Sequence, residues 1–179
     1  KKIINYIPKK EINDKEDFSI LILGGSQGAE IFGEVIPKVI NLLKVRNFSV
    51  KVIQQCTKNQ KDEIKKFYEE KNINNYVFEF DKNILNLMDS SNLAITRCGA
   101  TALAELVQTQ TPFIGVPLPN SIDNHQYFNA KYYESRGCCW ILDQKYLNEE
   151  NLYNLIMETM KNKNKLDAIQ ENMKKNSNI

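Results

Sequence analysis

Short apolar runs alternate with amphipathic stretches from Phe18 onward. Phe18 to Leu23 (FSILIL) is apolar at nearly every position, the pattern of a strand covered on both faces. A helical period follows from about Ala29 to Lys44, with Ile31, Val35, Val39, Leu42 and Leu43 on one stripe and Pro37 as a local irregularity. Phe48 to Gln54 reads as the second strand, and Thr57 as the cap of a charged helix reaching about Lys71. Tyr76 to Phe80 reads as the third strand, with a short helix from Asn83 to Met88. Leu93 to Thr96 reads as the fourth, leading through Arg97-Cys98-Gly99-Ala100 into a helix over Thr101 to Val107. The fifth, Pro112 to Val116, empties into the stiff segment Pro117-Leu118-Pro119-Asn120-Ser121 and then a helix from about Asn124 to Ser135. Gly137 ends that helix, Cys138 to Leu142 is the sixth strand, and Asn148 caps a last amphipathic helix.

Strands alternating with helices at this spacing predict an α/β fold with a doubly wound parallel sheet. The chain divides into a polar linker or arm over residues 1–17, carrying Pro8, one domain over residues 18–162, and a Lys/Asn-rich helix or tail over residues 163–179. The first residues, Lys1-Lys2-Ile3-Ile4-Asn5-Tyr6, lack an initiator Met and read as the middle of something longer.

Composition narrows the function classes. With 179 residues, 42% hydrophobic and 26% charged, the chain is sized for one core. Its 24 basic and 22 acidic residues leave a net charge of +2, which argues against a nucleic-acid-binding surface. Cys56, Cys98, Cys138 and Cys139 form no metal-type pair, and buried free thiols in a reducing cytoplasm are expected. Cys98 falls in a turn at a helix start, a setting that favours a lowered thiol pKa. No apolar run is long enough to span a bilayer, and no signal peptide opens the sequence.

The chemistry gathers at three strand exits, where open parallel sheets place their ligands. After the first strand, Gly24-Gly25-Ser26-Gln27-Gly28 lets a bulky group approach the backbone. The helix beyond it offers free N–H groups and a positive dipole end to a phosphate. A dehydrogenase fingerprint would need glycine at its third position, where Ser26 stands, and an acid after the second strand, where Gln54-Gln55 stand instead; no Gly-Lys-Ser/Thr exists for a P-loop. A tight turn without a ligand is the alternative for this motif alone.

Glu105 is a lone acid on an apolar helix. It either grips two ribose hydroxyls or pairs with a lysine in solvent. Asp123, Asn124, His125, Gln126 and Asn129 mix donors and acceptors as a sugar requires, although Asp123 or Asn124 also fits a helix N-cap. His125 is the chain's single histidine, which argues against a histidine metal site or a local triad. Phe80 either stacks on a flat base or fills the core.

Gly-Gly-Ser-Gln-Gly-Ala (24–29), Arg-x-Gly-Ala-x-x-x-x-Glu (97–105), and Pro-x-Pro followed by Asp-x-His-Gln-x-x-Asn-Ala (123–130) together resemble the MurG family of bacterial peptidoglycan glycosyltransferases. The resemblance covers residues 18–160 and only that family's C-terminal, donor-binding half. It implies the C-terminal domain of a two-domain GT-B fold, Rossmann-like, that binds UDP-GlcNAc for transfer to lipid I. The transfer would be inverting, with no cofactor and no metal. Ser26 and Gln27 would meet the diphosphate between Gly25 and Gly28 and stabilise the departing UDP. Glu105 would take the ribose, and backbone at Phe80 and Asp81, with Ile84 as wall, the uracil. His125, Gln126 and Asn129 would face the sugar, and Arg97, Gly99, Ala100, Thr101 and Asp123 complete the substrate-binding set.

Some relatives carry Gln at the position of His125, and Cys98 stands where Ser or Ala is usual. The family's acceptor-binding, membrane-associating half has no counterpart in this sequence. The catalytic base is expected there, with Asp123 the one local candidate. A stand-alone donor subunit paired with a membrane acceptor subunit, and a non-catalytic nucleotide-binding module, are the competing readings.

Overall fold

A computed structural model describes residues 17–25 and 29–177. Six strands form one all-parallel sheet: β1 (Phe18–Leu23), β2 (Val50–Gln55), β3 (Asn74–Phe78), β4 (Leu93–Thr96), β5 (Phe113–Gly115) and β6 (Cys139–Ile141). Their spatial order is β3-β2-β1-β4-β5-β6, so the chain reverses direction across the sheet between β1 and β4. Register places Ile22 beside Gln54, Leu23 beside Thr96, and Thr96 beside Gly115. The exits of β1, β4 and β5 therefore stand level with one another.

The strand alternation splits the core in two. Ile20, Ile22, Val50, Val52, Ile95 and Ile114 face α1 (Glu30–Val45), α2 (Lys58–Glu70) and α6 (Glu149–Lys161). Leu21, Leu23, Ile53, Phe78, Ala94 and Phe113 face the opposite layer. That layer holds α3 (Ile84–Asp89), α4 (Ala100–Gln108), α5 (His125–Glu134) and α7 (Lys163–Asn176). Leu166, Ile169 and Met173 of α7 are buried.

The expected strand bounds hold for β1 and β4. The third strand is corrected: it runs from Asn74 to Phe78, not Tyr76 to Phe80. β3 is one of the two edge strands, and Asn74 and Tyr76 near its start are exposed. The buried stripe of α1 is also shifted, to Phe32, Ile36, Val39, Ile40 and Leu43. Ile31, Val35 and Leu42 pack around its margin. Pro37 lies inside α1, buried, without ending it. Thr57 occupies the N-cap position of α2 but makes no side-chain cap bond. Asn148 caps α6 as expected, its side chain accepting from Asn151 N–H at 2.9 Å. No helix among the described residues is long and apolar enough to cross a membrane.

Candidate functional site

A cavity of about 570 Å³ opens at the carboxyl ends of the strands, a volume suited to a nucleotide-sized ligand. Of the predicted residues, Gly25, Phe80, Asp81, Ile84, Arg97, Gly99, Glu105, His125 and Gln126 line it. Ala100, Thr101, Asp123 and Asn129 are not in its lining. Ser26, Gln27 and Gly28 lie outside the described residues, as does the linker over residues 1–16.

The glycine turn is constrained by its backbone. Gly25 has φ +77°, a region that favours glycine, while among the described residues a Cβ there would meet only Arg97 Cβ at an ordinary 3.8 Å. Conformation, not crowding, requires glycine at this position.

The turn after β4 is held from two sides by α5. Cys98 N–H donates to Gln126 Oε1 at 3.0 Å, and Asn129 Nδ2 donates to the Cys98 carbonyl at 3.0 Å. Gln126 Oε1 also accepts from Leu118 N–H at 3.0 Å. Two N–H donors on one atom fix the amide orientation, so Gln126 turns its Nε2 donors the other way. Gln126, expected with Asn129 to face a sugar, thus ties the exits of β4 and β5 together, while Asn129 fastens α5 to the turn after β4. Arg97 adds a further tie through Val116, Pro117 and Gln144.

His125 Nδ1 lies 2.7 Å from the Ile122 carbonyl. A carbonyl can only accept, so Nδ1 is the donor in this contact and Nε2 is left for another partner. The helix-cap alternative for its neighbours is not met. Asn124 occupies the N-cap position of α5 but makes no side-chain cap bond, and Asp123 stands outside the helix. Asn120, Asp123 and Asn124 have φ of 56°, 50° and 53°, the left-handed region that Asn and Asp tolerate better than other non-glycine residues.

On the far wall, Phe80 is 82% exposed, which excludes the core-filling alternative. Asp81 organises its loop: one carboxylate oxygen accepts from Tyr76 hydroxyl at 2.8 Å and the other from Asn83 N–H at 2.7 Å. These bonds, the Asn83 N–H foremost, hold the Asp81 carboxyl below its ordinary pKa. Glu105, on the second turn of α4, is half-buried at the cavity wall.

The thiols correct one expectation. All four cysteines are buried and free. Burial pushes the Cys98 thiol up to about 12, opposite to the lowering expected from its position at a helix start, with Arg97 opposing only in part. Cys98 Sγ packs against Gly115, where a Cβ would approach it to 2.9 Å.

Several lining residues were not singled out from sequence. Gln55 ends β2, lines the cavity and donates through Nε2 to the Glu79 carbonyl at 3.2 Å. Leu118, Asn120, Ser121 and Ile122 form the mouth below α5. The strand-exit argument extends naturally to β2 and would have found Gln55.

Residues 19–179 match the glycosyltransferase family 28 C-terminal domain. The transferase of Pelagibacter ubique named UDP-N-acetylglucosamine--N-acetylmuramyl-(pentapeptide) pyrophosphoryl-undecaprenol N-acetylglucosamine transferase is 39% identical over 171 residues. That alignment covers 95% of this chain and 48% of the relative. A protein of the same name from Rickettsia bellii is 38% identical over 169 residues, covering 93% and 48%. The crystal structure of Acinetobacter baumannii MurG superposes with a TM-score of 0.80 at 26% identity, covering 91% of this chain and 46% of that one. The chain thus spans about half the length of the curated relatives it matches, and its sheet is that of the GT-B transferases. On the match over residues 19–179, this chain belongs to the glycosyltransferase family 28 C-terminal domain family.

Proposed function

We propose that this chain is the donor-binding half of a transferase that moves N-acetylglucosamine from UDP-GlcNAc to lipid I in peptidoglycan synthesis. The observation that carries the reading is the convergence of Gly25, Phe80, Glu105, His125 and Gln126 on one cavity at the strand exits, in a chain of this family. Residues 18–162 hold the site. Uracil lies along the backbone of Phe80 and Asp81 against Ile84, and Glu105 takes the ribose hydroxyls. The diphosphate sits at Ser26 and Gln27, between Gly25 and Gly28, where the amino end of α1 stabilises the leaving UDP. Gln126 Nε2 and His125 Nε2 meet sugar hydroxyls. Asn129, Gly99, Ala100, Thr101 and Asp123 shape and flank the sugar end.

Transfer further requires an acceptor hydroxyl that is deprotonated and held in line with the anomeric carbon, effects worth many orders of magnitude in rate. The acceptor-binding groups and the base come from the other half of the two-domain fold, which also brings the protein to the cytoplasmic face of the membrane as a peripheral protein.

Calorimetric titration with UDP and UDP-GlcNAc tests the donor site, and absence of uridine-nucleotide binding overturns the reading. Radiolabelled GlcNAc transfer to a lipid I analogue tests the division of labour. Residues 1–179 alone are expected to bind donor without turnover. Adding the N-terminal half, in cis or as a separate polypeptide, is expected to restore transfer. Robust transfer by the chain alone would place the base within it, at Asp123 or His125.

A further inference from the structure

The cavity wall behind the glycine turn contains a buried cation. Arg97 is 8% exposed, and among the described residues its guanidinium, with five N–H donors, makes three hydrogen bonds. Nη1 donates to the carbonyls of Val116 (3.2 Å) and Pro117 (3.3 Å), and Nη2 to Gln144 Oε1 (2.6 Å). All three acceptors are neutral. The Phe32 ring lies against the guanidinium, with its centroid 4.9 Å from Cζ. Among the described residues no carboxylate forms an ion pair with Arg97, and burial pulls its pKa below the ordinary value.

A buried charge without a counter-ion is costly, and a tie between loops does not need one. A neutral amide donates to carbonyls equally well. The charge itself therefore calls for an explanation. Phe32 is in the first turn of α1, so the guanidinium stands beside that helix's amino end, and Gly25 packs toward Arg97 Cβ. The acid of that turn, Glu30, is exposed. Two positive sources thus stand side by side, next to Gly25 at the exit of β1.

We propose that Arg97 is a built-in counter-charge for the diphosphate of the bound nucleotide, a positioning residue that raises affinity with each phosphate. It does so by its field in a poorly solvated wall, and by turning the Val116 and Pro117 carbonyl dipoles toward itself and away from the anion. The inference rests on the uridine-diphosphate reading given above.

The test is titration of the 179-residue chain with uridine, UMP and UDP. In Arg97→Gln, which keeps an amide donor for the two carbonyls, UDP is expected to weaken by about tenfold and UMP by about threefold, with uridine within about twofold of the parent. Arg97→Lys keeps the charge and loses the fork, and is expected to retain most of the preference for UDP over uridine. A merely structural Arg97 would weaken all three ligands by one common factor in Arg97→Gln, and that result overturns the proposal. If Arg97→Gln does not fold, loss of the UDP preference in Arg97→Lys overturns it. Failure of the parent chain to bind UDP would instead sink the underlying reading.

Discussion

Gln126 Oε1 sits 3.0 Å from the backbone nitrogen of Cys98, so a side chain expected to face a sugar is also a strut between two strand exits. The same oxygen accepts from Leu118 N–H. Substituting alanine would strand both donors and is expected to lower stability by about 1–3 kcal/mol. Gln126→Glu keeps an acceptor and removes the outward amide donor. Its melting temperature and UDP affinity should stay near the parent values while the preference for UDP-GlcNAc over UDP falls. Calorimetry on both variants separates the roles; equal loss of UDP and UDP-GlcNAc binding in Gln126→Glu would argue for a strut alone.

Glu105 is the second test. If its carboxylate chelates the ribose, Glu105→Ala should weaken UDP by about 1–3 kcal/mol, the range of a charge-assisted hydrogen bond. The melting point should barely move, because alanine is favourable in a helix. Unchanged uridine-nucleotide affinity would remove Glu105 from the site.

Gly115 and Cys98 form a packed pair. An alanine Cβ at position 115 would come within 2.9 Å of Cys98 Sγ, with Ala130 Cβ and the Trp140 carbonyl closing the other sides. Gly115→Ala is expected to destabilise by about 1–3 kcal/mol. Adding Cys98→Ala should recover much of that loss, because the sulfur is what the new methyl meets. Strictly additive denaturation midpoints in the double variant would contradict this contact.

The thiols predict an alkaline weakness. Cys98 is held neutral to about pH 12 in the fold, while an unfolded cysteine ionises near about 8.5. The folded state keeps a proton that the unfolded state releases, so this contribution is complete below the unfolded pKa and declines as pH rises toward 12. The slope is about 1.4 kcal/mol per pH unit for one such thiol. Urea midpoints measured between pH 8 and 11 should fall less steeply in Cys98→Ala than in the parent. In the native chain at pH 8 a thiol reagent should find no reactive cysteine, and replacing all four should leave UDP affinity within about threefold.

Where the sequence was transparent, two-sided burial made it so. β1 and β4 are the central strands, apolar on both faces, and their limits were readable to the residue. β3 is less legible because it begins with the polar Asn74 and Asn75, while the aromatic Phe80 belongs to the loop beyond. The stripe of α1 was ambiguous for a related reason: Ile31, Val35 and Leu42 pack at its margin as well, so apolar residues cover more than one face. In the candidate site, the turns after β1, β4 and β5 were readable from glycine and clustered polar residues. The bonding of Gln126, Asn129 and Arg97 was not, since it depends on long-range register that no local pattern encodes. Gln55 was passed over because its value lies in where β2 ends.

Asn120, at the mouth, and Asp123 and Asn124 just beyond it are left-handed and bear on the order in which the molecule assembles. A short segment has little reason to hold three such conformations by itself. It is held by Gln126 and Arg97, whose partners exist only once β4 and β5 lie side by side. The mouth is therefore expected to form after β4 and β5 pair and to open before they part. Native-state hydrogen exchange should release the Leu118 amide well before the Ile95 amide within β4. Between those two events lies a form with an intact sheet and an ordinary melting transition, which on the proposed donor-site reading would not hold nucleotide. Mutations that enlarge its population would silence the chain without unfolding it.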